Sequence, residues 1–268
     1  MLFRSLKIIS DFKSVASRKM EWQSIVPNQK GDWINQRGDE FDALVPLAPE
    51  KKYDVEAQSV FISFSRGLET GRDAWIYNYS KNSLINTMQT CVDFYNSEIN
   101  KLPSLGNSIE LVNKDPTKIS WTSSLLTYAD KKESALFQKE KICDVIYRPF
   151  QKSHAYYGEK FIHRRGQLEK FFPSCEYENL VICISAAKGM TVLISDIIAD
   201  LHFIGDSQCF PLYWYEENKN PQGSLFDDVD DSKYIRRDGI SDWMLQELRA
   251  RYGNTKSLTK EHIFYYVY

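Results

Sequence analysis

Residues 148–170 carry six Lys or Arg against two Glu, interleaved with Phe150, Tyr156, Tyr157 and Phe161. Cations at such intervals neutralise the phosphates of a polyanion, while rings and amides approach its bases. A solvated basic face beside ordinary core aromatics has the same composition, so the stretch alone leaves both readings open. Lys152, Lys160, Arg164 and Arg165 do not share one face of a continuous helix. Their irregular spacing predicts a loop that follows a backbone. The run NLVICIS at 179–185 comes soon after, and its β-branched content predicts a buried strand that would hold such a surface rigid.

Signatures of covalent chemistry are missing. The chain has no GxGxxG after a strand, no GxxxxGK[ST], no HExxH and no close Cys/His group of zinc spacing. Ser185 and Ser195 lack a GxSxG setting. Glu217, Asn218 and Lys219 match only the end of a metal-dependent nuclease motif, with Asp206 as the nearest companion acid. No catalytic residue and no metal ligand is therefore expected. His154 and His163 either touch phosphate or sit on the surface, whereas His202 and His262, flanked by apolar residues, read as structural.

The elements that must position the basic stretch follow from pattern. The 268 residues, 43% hydrophobic and 26% charged, describe a globular chain with one large core or two smaller ones. A net charge of -2 excludes an all-round cationic binder, but the charge is segregated. Residues 1–37 hold seven basic and three acidic groups, and residues 213–242 hold eight acidic and four basic, which predicts a bound side and a free side. The five cysteines form no CxxC pair; Cys143 and Cys183 lie in apolar sequence and read as free thiols, which favours a reducing compartment. No run approaches the roughly 20 apolar residues of a membrane span. The opening segment 2–9 is amphipathic, either a targeting peptide or a packed helix.

Residues 20–49, with three prolines and two glycines, predict an ordered connector in which 39–44 forms a short helix and Trp22, Trp33, Ile34 and Phe41 are buried. Residues 60–64 alternate like a strand, and 75–79 read as extended with Trp75, Tyr77 and Tyr79 on one face. Ser80 caps a helix carrying the stripe Leu84, Met88, Val92, Tyr95 and Ile99, stapled by Tyr79 and ended at Pro103. A second, more polar helix is predicted at 127–140. Ser241 caps a helix over 242–252, and Thr259 caps a last one that stays apolar to Tyr268. Either the chain continues beyond that helix or the terminus tucks into its own core. The fold class is mixed, α/β or α+β, with a central sheet, peripheral helices and long loops.

The segments DWINQR (32–37), GRDAWIYNYS (71–80), DFYN (93–96), ISW (119–121), YRPF (147–150), ENLVICIS (178–185), DLHFIGDSQCFPLYWYEE (200–217) and LTKEHIFYYVY (258–268) occur here in one order. Together they resemble the C-terminal target-recognition region of single-polypeptide type I, or type ISP, restriction-modification enzymes, from Trp22 to the end. The resemblance implies a connector at 1–50 from a preceding methyltransferase-like region and a recognition domain at 51–268. It implies sequence-specific binding of double-stranded DNA, in cis to methyltransferase, ATPase and nuclease modules, in a prokaryotic cytoplasm and away from any membrane. S-adenosylmethionine, ATP and Mg2+ are implied for the full-length enzyme and no cofactor for this chain, which lacks the NPPY and ATPase motifs and is no enzyme by itself.

The resemblance makes the loops 65–72, 123–132 and 152–165 candidates for recognition. Their donors, with the YRPF arginine, are Arg66, Arg72, Lys131, Lys132, Arg148, Lys152, Lys160, Arg164 and Arg165. Arg72 in GRDAW and Arg148 in YRPF either grip phosphate and guanine edges or lock the fold through an ion pair or backbone carbonyls. After ISW this chain has Thr122, Ser123, Ser124 and Leu125, where the family often places an arginine. The rival reading is a non-catalytic interaction or coupling module, with the acidic residues 227–231 and the last helix as its surfaces.

Overall fold

The computed structural model describes residues 25–268 except 35, 37, 104–109, 186–189, 219–232 and 254–255. The segment 2–9, Trp22 and the acidic residues 227–231 lie outside the described residues. The chain divides into a unit Met1–Val45 and a unit Pro46–Tyr268. In the first, the expected short helix is a 3-10 turn at Asp39–Ala43. Trp33, at 61% exposure, and Ile34 are open to solvent rather than buried, because no second layer covers them among that unit's described residues.

In the larger unit the described strands are β1 (Ser65–Arg66), β2 (Tyr77–Asn78), β3 (Ile142–Arg148), β4 (Gln151–Tyr156), β5 (Val181–Ser185), β6 (Thr191–Ser195), β7 (Ile198–Ala199), β8 (Gln208–Pro211), β9 (Tyr213–Glu217) and β10 (Tyr234–Asp238). The helices are α1 (Asp73–Ile76), α2 (Lys81–Lys101), α3 (Ser123–Asp130), α4 (Leu168–Phe171), α5 (Asp242–Arg251) and α6 (Lys260–Val267). The mixed class is as expected, with the strands divided over two four-stranded sheets, β1-β8-β5-β6 and β2-β4-β3-β7, and the pair β9-β10. In the second sheet β7 joins β3 in parallel and the other pairings are antiparallel.

The run VICIS becomes β5, and it is apolar from Val181 to Ile184 because it is covered on both faces. Val181 and Cys183 point into the larger core with α2, while Ile182 and Ile184 meet the smaller core of Phe61, Phe210, Ile240 and the α6 residues Ile263 and Phe264. Helix α2 buries the stripe read from sequence, Leu84, Met88, Val92, Tyr95 and Ile99, and adds Cys91. Ser80 Oγ accepts from Ser83 N at 3.3 Å, but Tyr79 is exposed and accepts from Gln151 Nε2 instead of stapling Leu84. Ser241 and Thr259 cap α5 and α6 as expected, and His262 completes a capping box by accepting from Thr259 N at 3.2 Å.

Four local readings are corrected. Residues 60–64 make only isolated bridges, Phe61 to Ile240 and Ser63 to Tyr53, and the first ladder begins at Ser65. Residues 73–76 are helical, because the carbonyl of the anchored Arg72 accepts from the N–H groups of Trp75 and Ile76. The second helix starts at Ser123, where Thr122 caps it, and ends before Lys132 in the left-handed region at φ 53°. Beyond it Asn96 clamps the Ala135 backbone with bonds of 2.8 and 2.9 Å, and 134–138 forms no helix. Cys143 is bonded to Cys175 rather than free, since β3 brings it beside the loop after α4; Cys91, Cys183 and Cys209 are buried thiols.

Candidate nucleic-acid interface

The two motif arginines are held by the fold to different degrees. Arg72 is 3% exposed. Its Nε donates to Ser120 O at 3.0 Å, Nη2 to Thr122 Oγ1 at 2.6 Å, and Nη1 to Phe161 O. All three guanidinium nitrogens are committed within the protein, and burial lowers the group's pKa to about 10. This is the fold-locking alternative, so Arg72 is removed from the DNA-facing candidates. Arg148 lies over the Tyr147 ring at 3.8 Å and donates through Nη1 to Tyr147 O at 2.6 Å and to Asp200 Oδ1 at 2.7 Å. Asp200 is buried and also accepts from Tyr77 Oη at 2.7 Å and His202 N at 2.8 Å. Burial raises the pKa of both Asp200 and Tyr77. About a third of the Arg148 side chain remains open.

The irregular cation series does not form one loop. Lys152 is exposed on β4, a strand rather than a loop, while Lys160 sits in a 3-10 turn at Glu159–Phe161. Lys160 Nζ binds Glu133 Oε2 at 2.8 Å and lies 5.0 Å from the Tyr128 ring centre, and its hydrogen bond lowers the pKa of Glu133. Arg165 is paired with Glu159 at 3.0 Å and with Glu169; burial would lower its pKa, and the Glu169 bond carries it above the usual value. Glu133 comes from outside the stretch that looked uncompensated, while Glu159 and Glu169 are its own two acids. Lys132 Nζ caps the end of α2 at Leu102 O, 2.6 Å away, and Lys131 is exposed beside it. His163 Nδ1 bonds Ser124 Oγ at 3.1 Å and His154 Nδ1 pairs with Asp144 at 2.7 Å, so both have protein partners.

Arg66 and Arg164, distant in sequence, meet at Glu69. Arg66 Nη1 lies 3.4 Å and Arg164 Nη1 3.7 Å from its carboxylate, and Arg164 N donates to Glu69 O at 3.0 Å. The two line a cleft of about 460 Å³ together with Lys52, Ser65, Gln167 and Gln208. Its wall is built closely. Gly166 takes φ +59°, where a Cβ would stand 2.5 Å from Ser65 Oγ, and that hydroxyl accepts from Gln167 N at 2.9 Å. Gln167 Oε1 is buried and makes no hydrogen bond within the described chain. Three cations and two amides against the single carboxylate of Glu69 leave one concavity net positive, which suits a phosphodiester. Lys52, Gln167 and Gln208 had no sequence signal: Gln208 arrives because β8 pairs with β1, placing it opposite Arg66.

At the opposite edge from β1, near β6, the β3–β4 hairpin projects its tip. Pro149 and Phe150 are the two residues between the paired Arg148 and Gln151. Phe150 is 95% exposed and takes φ +60°.

Residues 59–268 match the family described as the Type ISP C-terminal specificity domain. The match starts after the DWINQR segment. Among solved structures the chain is similar to the ATP-dependent Type ISP restriction-modification enzyme LlaBIII bound to DNA, with TM-score 0.73 and 35% identity over 92% of this chain and 15% of that one. It is similar to DrdV in a cryoEM complex with DNA, with TM-score 0.79 and 27% identity over 94% of this chain and 24% of the other. A nuclease-deletion mutant of the Type ISP enzyme LlaGI with a DNA substrate mimic gives TM-score 0.71 and 28% identity over 93% and 20%. No curated protein sequence matches. The chain spans less than a quarter of each of these solved chains, and by the match over residues 59–268 it belongs to the Type ISP C-terminal specificity domains.

Proposed function

We propose that this chain recognises a specific sequence in double-stranded DNA and holds one adenine in place for methylation by an adjoining domain. The observation that carries this reading is its membership of the specificity-domain family, supported by the likeness to enzymes solved with DNA. Arg66, Arg164 and Lys52 in the cleft, with Lys152 and Lys131 outside it, would neutralise phosphates and set the register. Side chains on the neighbouring loops would then read base edges, a bidentate contact contributing about 1 to 3 kcal/mol against a wrong pair.

The chemistry belongs to other modules of the polypeptide in this reading, namely methyltransferase, ATPase and nuclease, which would use S-adenosylmethionine, ATP and Mg2+. Among the described residues no three His, Cys, Asp or Glu side chains converge to hold a cation. No described helix is long and apolar enough to cross a membrane. A prokaryotic cytoplasm, where the host DNA lies, is the proposed setting. The test is selection of bound duplexes from a random library, with this chain and with its full-length polypeptide. Enrichment of one motif by both supports the reading, and no enrichment by either refutes it.

A further inference from the structure

We propose that Phe150 enters the bound duplex as an aromatic wedge, stacking on a base step from the tip of the β3–β4 hairpin. The proposal rests on the DNA-recognition reading and adds a residue and a mode of contact to it. Two features of Phe150 are unfavourable in the free chain. Its ring is 95% exposed, and its backbone takes φ +60°, a left-handed conformation that residues with a Cβ rarely adopt. The second residue of a two-residue turn after proline is a place for glycine or asparagine. Among the described residues no aromatic or cationic partner meets the ring. Strain and exposure combined at one residue point to a contact made outside the chain.

A wedge needs a rigid base, because opening a base step has a cost that a yielding loop would not meet. The hairpin supplies one. Strands β3 and β4 pair from Ile142 with Tyr156 through to Arg148 with Gln151, with an irregularity between Ile146 and Arg148 that twists the tip. Just below the tip, Arg148 is fastened by Asp200 at 2.7 Å and by the Tyr147 ring beneath it. The ring is therefore presented on a fixed stalk.

The surroundings favour nucleic acid over protein as the occupant. Lys152, two residues along, is exposed with no carboxylate partner among the described residues, and Gln151 and the exposed Tyr79 lie beside it. A protruding ring flanked by a cation and an amide matches a base face next to its phosphates. Beneath the tip Ile146, Leu193, Ile197 and Phe203 line an apolar hollow of about 460 Å³, the feature a protein partner would use. Phe150 and Lys152 also line that hollow, so the experiment is chosen to separate the two occupants.

The duplex most enriched by the wild-type chain is prepared with single 2-aminopurine substitutions, and binding and fluorescence are measured for Phe150→Ala, Phe150→Gly and Phe150→Trp. Loss of one stacked base predicts about 5- to 150-fold weaker binding for the alanine and glycine variants, with the tryptophan variant near wild type. The fluorescence rise at the unstacked step disappears in the first two. Glycine adopts φ +60° without strain, so that variant melts no lower than wild type and its loss of affinity cannot come from misfolding. Unchanged affinity and fluorescence in both small variants overturn the wedge while leaving DNA recognition standing. If in addition they loosen only the full-length enzyme, Phe150 is a protein contact and the proposal is equally overturned. A wild-type chain that enriches no duplex overturns both readings together.

Discussion

Replacing Arg72 with alanine separates a residue that holds the fold from one that reads DNA. The side chain ties its own loop to two places far along the chain, the Ser120–Thr122 segment and Phe161, through its three nitrogens. A hydrogen bond to a charged donor contributes about 1.5 to 3 kcal/mol net, and three on one side chain are not additive. Alanine also leaves the carbonyls of Ser120 and Phe161 without this donor and opens a void against the Phe161 ring, whose centre is 5.9 Å from the guanidinium carbon. Together these place the loss at about 3 to 5 kcal/mol, the range for stripping one partner from a buried charged network. In a unit of this size that lowers the melting temperature by about 6 to 20 °C. Arg72→Lys, which reaches at most one or two acceptors, should fall between. Differential scanning calorimetry reads the shift, and DNA binding at a temperature where all variants are folded should be unchanged. A melting temperature within a degree of wild type, with weakened binding, would refute the reasoning and return Arg72 to the interface.

Other outcomes follow from the same geometry. Arg66 and Arg164 make only long ion pairs of 3.4 to 3.7 Å and are 44% and 63% exposed, so Arg66→Ala with Arg164→Ala should lower the slope of log affinity against log salt by about 1.8 if both touch phosphate, whereas Arg165→Ala, which removes a group 29% exposed and held closely by Glu159 and Glu169, should leave it nearly unchanged; equal effects would contradict the assignment of the cleft. Asn179 donates to Phe171 O and Tyr213 O and accepts from Leu180 N and Tyr213 N, so Asn179→Ala should cost about 2 to 4 kcal/mol in urea unfolding. Burial raises the pKa of Tyr77, Tyr95 and Tyr157 in the folded chain. Their contribution is complete below the unfolded value of about 10 and is lost as pH rises above it, at about 4 kcal/mol per pH unit for three groups. Urea midpoints measured from pH 9 to about 11 should therefore fall steeply only in the upper half; a flat profile would show that these hydroxyls are not buried.

Local sequence determined the elements whose signals are short-range. The period of Leu84 to Ile99, the capping groups Ser80, Ser241 and Thr259, and the unbroken apolar run of β5 all depend on neighbours within one or two turns, and each appears where it was read. The order of motifs was enough to indicate the family. Charge partners were not legible, because ion pairs form between residues that only the fold brings together. Glu133 neutralises Lys160 across 27 positions, and Glu69 gathers Arg66 from one side and Arg164 from far along the chain. A stretch that looks uniformly basic is thereby sorted into structural cations and available ones. Tertiary structure also decided that Arg72 is interior, that Cys143 lies beside Cys175, and that Gln208 stands opposite Arg66. The tip of the hairpin shows the same division: YRPF names the residues, but exposure and a left-handed backbone at Phe150 exist only once β3 and β4 have paired around it.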